Sequence, residues 1–365
     1  MRRSVGVLGV ALLLASCSRA SLPGDDGRSE HDGCGLSDGA TDREGGPLSG
    51  WWVTTVAGSG ASGYQDGPAL QAQMQYVQSI AVDGNRLYFA DACRIRMLEA
   101  GTVSTVAGTG VCGVVDGPAN QAQVENQNRG MAVVDGVVHF TEGGYGVIRR
   151  LRQGMVETVA GLAQTTGYVD GPGDQARFSA ALAGLAAGPG QLFIADKTRI
   201  RLLENGQVST VAGRGPEGCV DGPAHMAELY WPWSLARMPT GEVLAASQCV
   251  IRRLAGGEVS TFAGSCTQKM PWGLCGSADG PVAIAAFDHL GIAADSTGRV
   301  FVIESDRIGM IEGGVMYTLK RLDQKGHRDG PLGQALFQYI GDAAVDAQDR
   351  LFVMDMNFIR MIYRK

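Results

Sequence analysis

Histidine and clustered positive charge are scarce in this sequence. Its 365 residues include 5 His and carry a formal net charge of -6. The His residues share no spacing typical of metal ligands, and no basic stripe of the kind found in nucleic-acid-binding proteins is present. The sequence therefore identifies no metal site, no cofactor and no nucleic-acid partner, although it leaves a structural divalent cation open.

Hydrophobic runs long enough to cross a membrane are also absent. The apolar stretch from Val5 to Leu14 has ten residues, whereas a transmembrane helix needs about 20. It follows Arg2 and Arg3 and precedes small residues, as in an export signal. Its end, "LASC" at 14–17, resembles the bacterial lipobox, and that resemblance implies a diacylated cysteine.

The lipobox resemblance predicts a signal peptide at 1–16, lipidation at Cys17 and export to the cell envelope. Ser18 after the cysteine implies the outer membrane, so the membrane is a predicted partner through the lipid anchor. The rest of segment 17–50 is rich in Gly and acids and poor in large apolar residues. Because such a segment cannot offset its ordering entropy, we predict a disordered tether.

Glycine is abundant, with 54 copies, and the triplet Asp-Gly-Pro occurs six times at intervals of 50 to 58 residues. The sixth residue after each Asp is Ala, and the eighth is apolar. A period of this length predicts propeller blades. The triplets begin at Asp66, Asp116, Asp170, Asp221, Asp279 and Asp329.

Each unit contains the same series of short strands separated by turn signals, as at 79–82, 86–91, 94–99 and 102–108. We predict an all-β fold for 51–365, a six-bladed β-propeller with four-stranded antiparallel blades. The last unit lacks its final strand, and an extra copy, "WVTTVAG" at 52–58, precedes the first unit. We expect this N-terminal strand to join the last blade and close the ring.

The segment "GQLFIADKTRIRLLENGQVSTVAG" at 190–213 resembles the repeat of the NHL family of six-bladed propellers. The resemblance extends over all six units of 51–365, and the sequence departs from it at Ser247, Glu304 and 316–322. It implies a binding function more often than catalysis.

The repeated Asp-Gly-Pro acids have two interpretations. Pro suits the first position of a helix, and a preceding Asp can accept hydrogen bonds from free helical N–H groups. A cation site or catalysis is the alternative, but six equal positions do not form one asymmetric site. We therefore predict that the six Asp residues are structural caps, that the Ala allows close packing and that the apolar residue fills the gap between blades.

A second charge pattern pairs an acid at a strand end with an Arg in the next strand. In the fourth unit Ser247 replaces the acid, and in the fifth Gly309 replaces the Arg. We hypothesise that the leftover Arg252 and Glu304 pair across the interface between neighbouring blades. The pattern predicts a ring of ion pairs between blades, with a ligand-facing acidic ring as the alternative.

The segment before each inner strand varies most between units. These positions should surround the mouth of the channel, where aromatic side chains with a polar edge suit binding. Packing of the connections is the alternative. The candidate binding residues are Tyr76, Gln78, Gln127, Asn128, Trp231, Trp233, His289 and Tyr339.

Six cysteines in the propeller region agree with export. Repeat positions favour Cys93 with Cys112, Cys249 with Cys275 and, by remainder, Cys219 with Cys266. The alternative joins Cys219 to Cys249 and Cys266 to Cys275. Either arrangement leaves Cys34 in the tether as a free or intermolecular thiol.

We predict a lipid-anchored extracytoplasmic platform that binds a protein, peptide or glycan. The alternative is a hydrolytic or lyase-type propeller enzyme with a central divalent cation, which would need ligands converging in the channel. A structural protein of the envelope differs from the first function mainly in its partner.

Overall fold

The computed structural model of the chain describes residues 48–126, 128–247, 249–265, 275–287 and 291–365. Six antiparallel sheets of five strands each form the six blades of a β-propeller. The inner strand of every blade contacts the inner strands of both neighbouring blades, so the blades close into a ring. This confirms the predicted fold class.

The bounds of the strands follow the repeat. The first strand of the chain is β1 (Trp51–Ala57). Blade 1 contains β2 (Gly67–Pro68), a 3-10 helix (Ala69–Gln71), β3 (Val77–Asp83), β4 (Arg86–Asp91), β5 (Arg94–Glu99) and β6 (Thr102–Ala107). Blade 2 contains β7 (Gly117–Pro118), β8 (Met131–Val134), β9 (Val137–Glu142), β10 (Val147–Arg152) and β11 (Met155–Ala160). Blade 3 contains β12 (Gly171–Pro172), β13 (Leu182–Gly188), β14 (Gln191–Asp196), β15 (Arg199–Glu204) and β16 (Gln207–Ala212).

The second half of the ring repeats this order. Blade 4 contains β17 (Gly222–Pro223), β18 (Ser234–Arg237), β19 (Val243–Ser247), β20 (Val250–Ala255) and β21 (Glu258–Gly264). Blade 5 contains β22 (Gly280–Pro281), β23 (Gly291–Ala294), β24 (Val300–Ile303), β25 (Arg307–Glu312) and β26 (Val315–Arg321). Blade 6 contains β27 (Gly330–Pro331), β28 (Ile340–Val345), β29 (Leu351–Asp355) and β30 (Phe358–Arg364), and β1 completes it.

The ring is closed by the N-terminal strand, as predicted. β1 lies between β27 and β30 and pairs antiparallel with both. Trp51 at its start is buried and packs edge to face against Phe301 of blade 5, with ring centroids 5.7 Å apart. The last blade is therefore built from both ends of the propeller sequence.

Each blade has one more strand than predicted, because the Gly-Pro of each triplet pairs with the outer edge of its sheet. In blade 1, Gly67 and Pro68 pair with Val103 and Thr102. The six triplet Gly residues have φ values between 127° and 140°. This left-handed backbone is easily adopted only by Gly, which explains why Gly recurs at this position.

The gaps between blades hold six separate apolar clusters. Each cluster contains the Ala and the apolar residue that follow one triplet Asp, as Ala72 and Met74 do between blades 6 and 1. The side chains of Ala72 and Met74 are at most 1% exposed. Burial of one such large apolar side chain contributes about 1.5–3 kcal/mol, so these positions join the blades as the sequence predicted.

Two disulfides connect the turns of blades 1 and 4 to the loops that follow them. Cys93 bonds Cys112 and Cys249 bonds Cys275, with Cα–Cα distances of 5.0 and 5.4 Å. The alternative that joined Cys249 to Cys219 is therefore wrong. Cys219 is also disulfide-bonded, and the predictions for Cys17, Cys34 and Cys266 lie outside the described residues.

The two disulfides are typical of an extracytoplasmic protein. Within the described ranges, the chain has no helix with the length and apolar character needed to cross a membrane.

Candidate functional site

Each blade encloses one buried arginine that binds the triplet acid, and in every blade except blade 4 this arginine also binds the strand-end acid. In blade 1, the Arg96 guanidinium contacts Asp91 at 2.7 Å and Asp66 at 2.8 Å. It also donates hydrogen bonds to the carbonyl oxygens of Gln65 and Gln73. Arg96 is completely buried, so these four acceptors replace the water that the cation loses on folding.

The triplet acids have different partners from those of a helix cap. Asp66 accepts hydrogen bonds from the backbone N–H and the hydroxyl of Thr105 on β6, at 2.8 and 3.3 Å. The short helix that follows has no side-chain cap. The prediction of helix capping is wrong for Asp66, because Pro68 leads into a sheet edge and the carboxylate turns toward the buried Arg.

The same Thr hydroxyl contact occurs in all six blades. The pairs are Asp66 with Thr105, Asp116 with Thr158, Asp170 with Thr210, Asp221 with Thr261, Asp279 with Thr318 and Asp329 with Thr55. The triplet acids therefore attach the loop to the outer strand of the same blade and do not face the channel.

The contacts in blades 4 and 5 contradict the hypothesised ion pair between Arg252 and Glu304 across their interface. Arg252 binds Asp221 of its own blade at 2.6 Å. Glu304 binds Arg307, which lies two positions before Gly309 and also reaches Asp279 at 2.9 Å. The hypothesised pair of Arg252 with Glu304 is wrong, because Arg307 replaces the missing cation within blade 5.

The strand-end acids also position the loops at the channel mouth. The second oxygen of Asp91 accepts the backbone N–H groups of Gln75 and Tyr76, both at 2.9 Å. Asp355 does the same for Gln338 and Tyr339, at 2.7 and 3.0 Å. Because each acid is held by a buried Arg, the backbone at the two tyrosines is fixed by the core of the blade.

A cavity of about 790 Å³ opens at this mouth, over blades 6, 1 and 2. Its lining combines two exposed tyrosines, two methionines, several amide side chains and two charges of opposite sign. The lining residues are Ser62, Gln75, Tyr76, Val77, Gln78, Asn126, Arg129, Tyr339, Gly341, Asp342, Met354, Met356 and Asn357.

Three predicted binding residues come together here. Tyr76 and Tyr339 are 57% and 59% exposed, which leaves their rings available to a ligand. Gln78 lies beside them and donates from its amide to the carbonyl oxygen of Asn126. Tyr76 and Tyr339 are equivalent by repeat, ten residues after Asp66 and Asp329.

The other predicted residues lie apart from this cavity lining. Trp231 and Trp233 form a tilted pair with centroids 5.8 Å apart, and the guanidinium of Arg129 lies 5.3 Å from the Trp233 ring. Asn128 is buried, and its amide donates to the carbonyl oxygen of Glu125 at 2.7 Å. Gln127 and His289 lie outside the described residues.

Below the mouth the channel narrows to a space of about 40 Å³. At one position of the inner strand the blades place Ser79, Gly130, Gly184, Ser234, Gly291 and Asp342. Asp342 is thus an acid at a position where the other blades have Ser or Gly.

Asp342 connects blades 6 and 1, because one carboxyl oxygen accepts the backbone N–H of Ile80 at 3.2 Å. Removal from bulk water raises the pKa of Asp342 to about 7, against the lowering effect of backbone hydrogen bonds from Ala343 and Ile80. The sequence analysis missed Asp342 and Arg129. Alignment of the inner strands would have revealed both, as charged residues without equivalents in the other units.

Among the described residues, no three His, Cys, Asp or Glu side chains form a group that could hold a metal ion. The mouth therefore offers aromatic faces, amide groups, one cation and one anion. These groups can bind and orient a molecule through stacking, hydrogen bonds and charge.

Comparison of the fold with solved structures gives similar propellers of low sequence identity. A protein of unknown function from Bacteroides thetaiotaomicron is 16% identical over 86% of this chain and 76% of its own, with a TM-score of 0.65. An auxiliary nutrient binding protein from the same species is 13% identical over 86% and 76%, with a TM-score of 0.61. A gluconolactonase from Xanthomonas campestris is 14% identical over 87% and 91%, with a TM-score of 0.53. No protein-family model and no curated protein matches the sequence.

Proposed function

We propose that this chain is an exported, lipid-anchored propeller of the NHL type that binds a protein, peptide or glycan at its channel mouth. The observation that carries the proposal is the cavity of about 790 Å³, whose lining differs from blade to blade. Its size lies within the range of about 300–1,000 Å³ typical of ligand sites.

The construction of the mouth favours recognition. Tyr76 and Tyr339 present exposed rings, while Asp91 and Asp355 hold the backbone N–H groups from which the rings project. A ligand that stacks on these rings meets a backbone that is already ordered, so binding costs less conformational entropy. The auxiliary nutrient binding protein among the similar structures supports a binding role for this fold.

A hydrolytic or lyase-type propeller with a central divalent cation is the second candidate. The observation in its favour is the carboxylate of Asp342 in the channel. Elemental analysis of the purified protein distinguishes the two candidates. A stoichiometric, tightly held divalent cation would favour the enzyme, whereas a protein that binds its ligand after chelation would favour the binding platform.

The binding proposal is tested on peptide and glycan arrays with three versions of the mature chain. We expect Tyr76→Ala/Tyr339→Ala to lose the array signals of the wild type. Tyr363→Ala is the matched control, because this half-buried Tyr lies on β30, outside the mouth lining. Retention of every signal by the double variant would contradict a site at this mouth.

A Trp231→Ala/Trp233→Ala variant tests how far the binding surface extends. The pair lies outside the cavity lining and contacts it through Arg129, which lies over the Trp233 ring. We therefore expect weaker effects on the arrays than from the tyrosine variant, with loss confined to the larger ligands.

The lipid anchor is tested separately at Cys17. We expect the wild type to incorporate a labelled fatty acid and to fractionate with the outer membrane. A Cys17→Ala variant should lose the label and leave the membrane fraction, whereas Cys34→Ala should keep both. An unlabelled wild-type protein would contradict the lipobox interpretation.

A further inference from the structure

The charged residues of the channel are few and have opposite signs. Arg129 and Asp342 line the wide mouth and also the narrow space below it. No other charged residue in the described parts of the chain lines either space. A cation and an anion thus face one cavity from blades 2 and 6, on either side of blade 1.

We propose that the mouth binds a zwitterion of the amino-acid or short-peptide class, with its ammonium group on Asp342 and its carboxylate on Arg129. This inference rests on the proposed function, because it specifies the ligand class of the same cavity.

The anionic half of the site is built around an incompletely compensated carboxylate. Asp342 accepts backbone N–H groups of Ile80 and Ala343, and no cation of the described residues forms an ion pair with it. Burial raises its pKa to about 7, as expected for a carboxylate that has backbone hydrogen bonds but no partner of opposite charge. An ammonium group supplies the missing charge.

Two aromatic side chains line the same cavity as this carboxylate. Tyr339 is three residues before Asp342, and Tyr76 occupies the equivalent position of blade 1, whose Ile80 contacts the carboxylate. Both rings line the same cavity and are more than half exposed. Ring faces beside a carboxylate favour an ammonium group through cation–π attraction.

The cationic half of the site is Arg129. Its side chain is exposed, forms no hydrogen bond or ion pair with the described residues, and lies over the Trp233 ring. Glu125 is the nearby carboxylate, and its acceptor Oε2 binds the backbone N–H of Gly144. A guanidinium fork with free donors binds a ligand carboxylate through two parallel hydrogen bonds.

Blade 1 separates the two charges around the ring, so the ligand must extend across its inner strand. The side chains on this path are Tyr76, Val77 and Gln78, which offer an aromatic face, an apolar contact and an amide. This sequence of contacts suits the side chain and peptide group of a dipeptide. A neutral saccharide would leave both charges without partners.

The test is calorimetric titration of the mature full-length chain with four probes: the dipeptide Ala-Ala, its N-acetyl form, its C-terminal amide and maltose. We expect Ala-Ala to bind with a Kd on the order of 1 mM or tighter. Each capped form should bind about tenfold more weakly or worse, because it leaves one charged group unpaired.

Two variants should change the affinities for the amine-capped and carboxylate-capped probes in opposite ways. Asp342→Asn should remove the preference for a free amine but keep that for a free carboxylate, and Arg129→Gln should do the reverse. Asp135→Asn and Arg152→Gln are the matched controls, since both exposed residues line a separate groove between blades 2 and 3. They should leave all affinities unchanged.

The wild type alone can overturn the inference, whether or not the variants fold. Equal binding of capped and free dipeptides would contradict it. Binding of maltose without Ala-Ala, lost in the tyrosine variant, would also contradict it while leaving the proposed function intact. Absence of binding by all four probes, or an equal loss for all probes in both variants, would overturn it as well.

Discussion

The arginine clusters near the outer loops and the lining of the channel mouth differ in how much their contacts vary where the sequence departs from the repeat. In blade 5 the repeated Arg is lost at Gly309, yet Arg307 rebuilds the contacts with both acids. Along the inner strands of the channel, equivalent positions hold unrelated side chains such as Ser79 and Asp342. All six blades thus keep a buried Arg paired with the triplet Asp, whereas the residues that line the channel differ from blade to blade.

The largest loss of stability is expected from a substitution that removes the arginine from a cluster with both acids. Arg96→Met removes the cation from Asp91, which is 2% exposed, and we expect the free energy of unfolding to fall by about 3–5 kcal/mol. Arg252→Met is the matched control, because Ser247 stands where the other blades have the buried acid. Its cost should be lower by about 1–2 kcal/mol. Urea denaturation measures both, and equal losses would show that the buried acid is not the cause.

The next effect concerns the strand that closes the ring. Trp51→Ala leaves a cavity beside Phe301 and should lower the free energy of unfolding by about 3–4 kcal/mol. Trp52→Ala, on the more exposed face of the same strand, loses chiefly the contact with Lys365 and should cost about 1 kcal/mol. Thermal and urea unfolding compare the two. A small loss at Trp51 would contradict closure of the ring through the core of blade 6.

A third prediction uses pH to compare the channel with the rest of the molecule. The folded-state pKa of Asp342 is raised to about 7 from its ordinary value of 3.8. Its contribution to stability is therefore complete below about pH 4 and is lost as the pH rises through 7. Relative to Asp342→Asn, the wild type should lose roughly 2–4 kcal/mol between these limits.

Urea denaturation at a series of pH values tests this difference. Glu142, whose pKa burial also raises to about 7, is present in both proteins, so its effect cancels. Asp135→Asn should follow the wild-type pH profile, because this exposed residue lines the separate groove between blades 2 and 3. Parallel profiles for wild type and Asp342→Asn would contradict the burial of this carboxylate.

The repeat made most of the fold predictable. Residues that recur in every unit, such as the triplet Gly and the Ala six positions after Asp66, have one structural role in six places. Period and strand signals therefore predicted the blades, the closure and the packing between blades. The fifth strand was missed because two residues, Gly and Pro, are too short to show a strand pattern.

Side-chain partners were less predictable than the backbone. Asp66 was assigned to a helix end from local sequence, but its carboxylate turns to Arg96 and Thr105, 30 and 39 residues away. Similarly, spacing could not reveal that Arg307 substitutes for the Arg missing at Gly309. For the candidate site, the varied loop residues include Tyr76 and Tyr339, which line the cavity, whereas Asp342 required a comparison along the inner strands.

The smallest effect on stability is expected for the two exposed tyrosines at the channel mouth. Tyr76→Ala and Tyr339→Ala each remove a side chain that is more than half exposed, so each should change the free energy of unfolding by less than about 0.5 kcal/mol. The backbone N–H groups of both residues keep their bonds to Asp91 and Asp355 in these variants. Chemical denaturation of both variants is the measurement. A loss above about 1 kcal/mol would mean that the rings stabilise the fold, whereas unchanged stability with lost binding would assign them to the ligand.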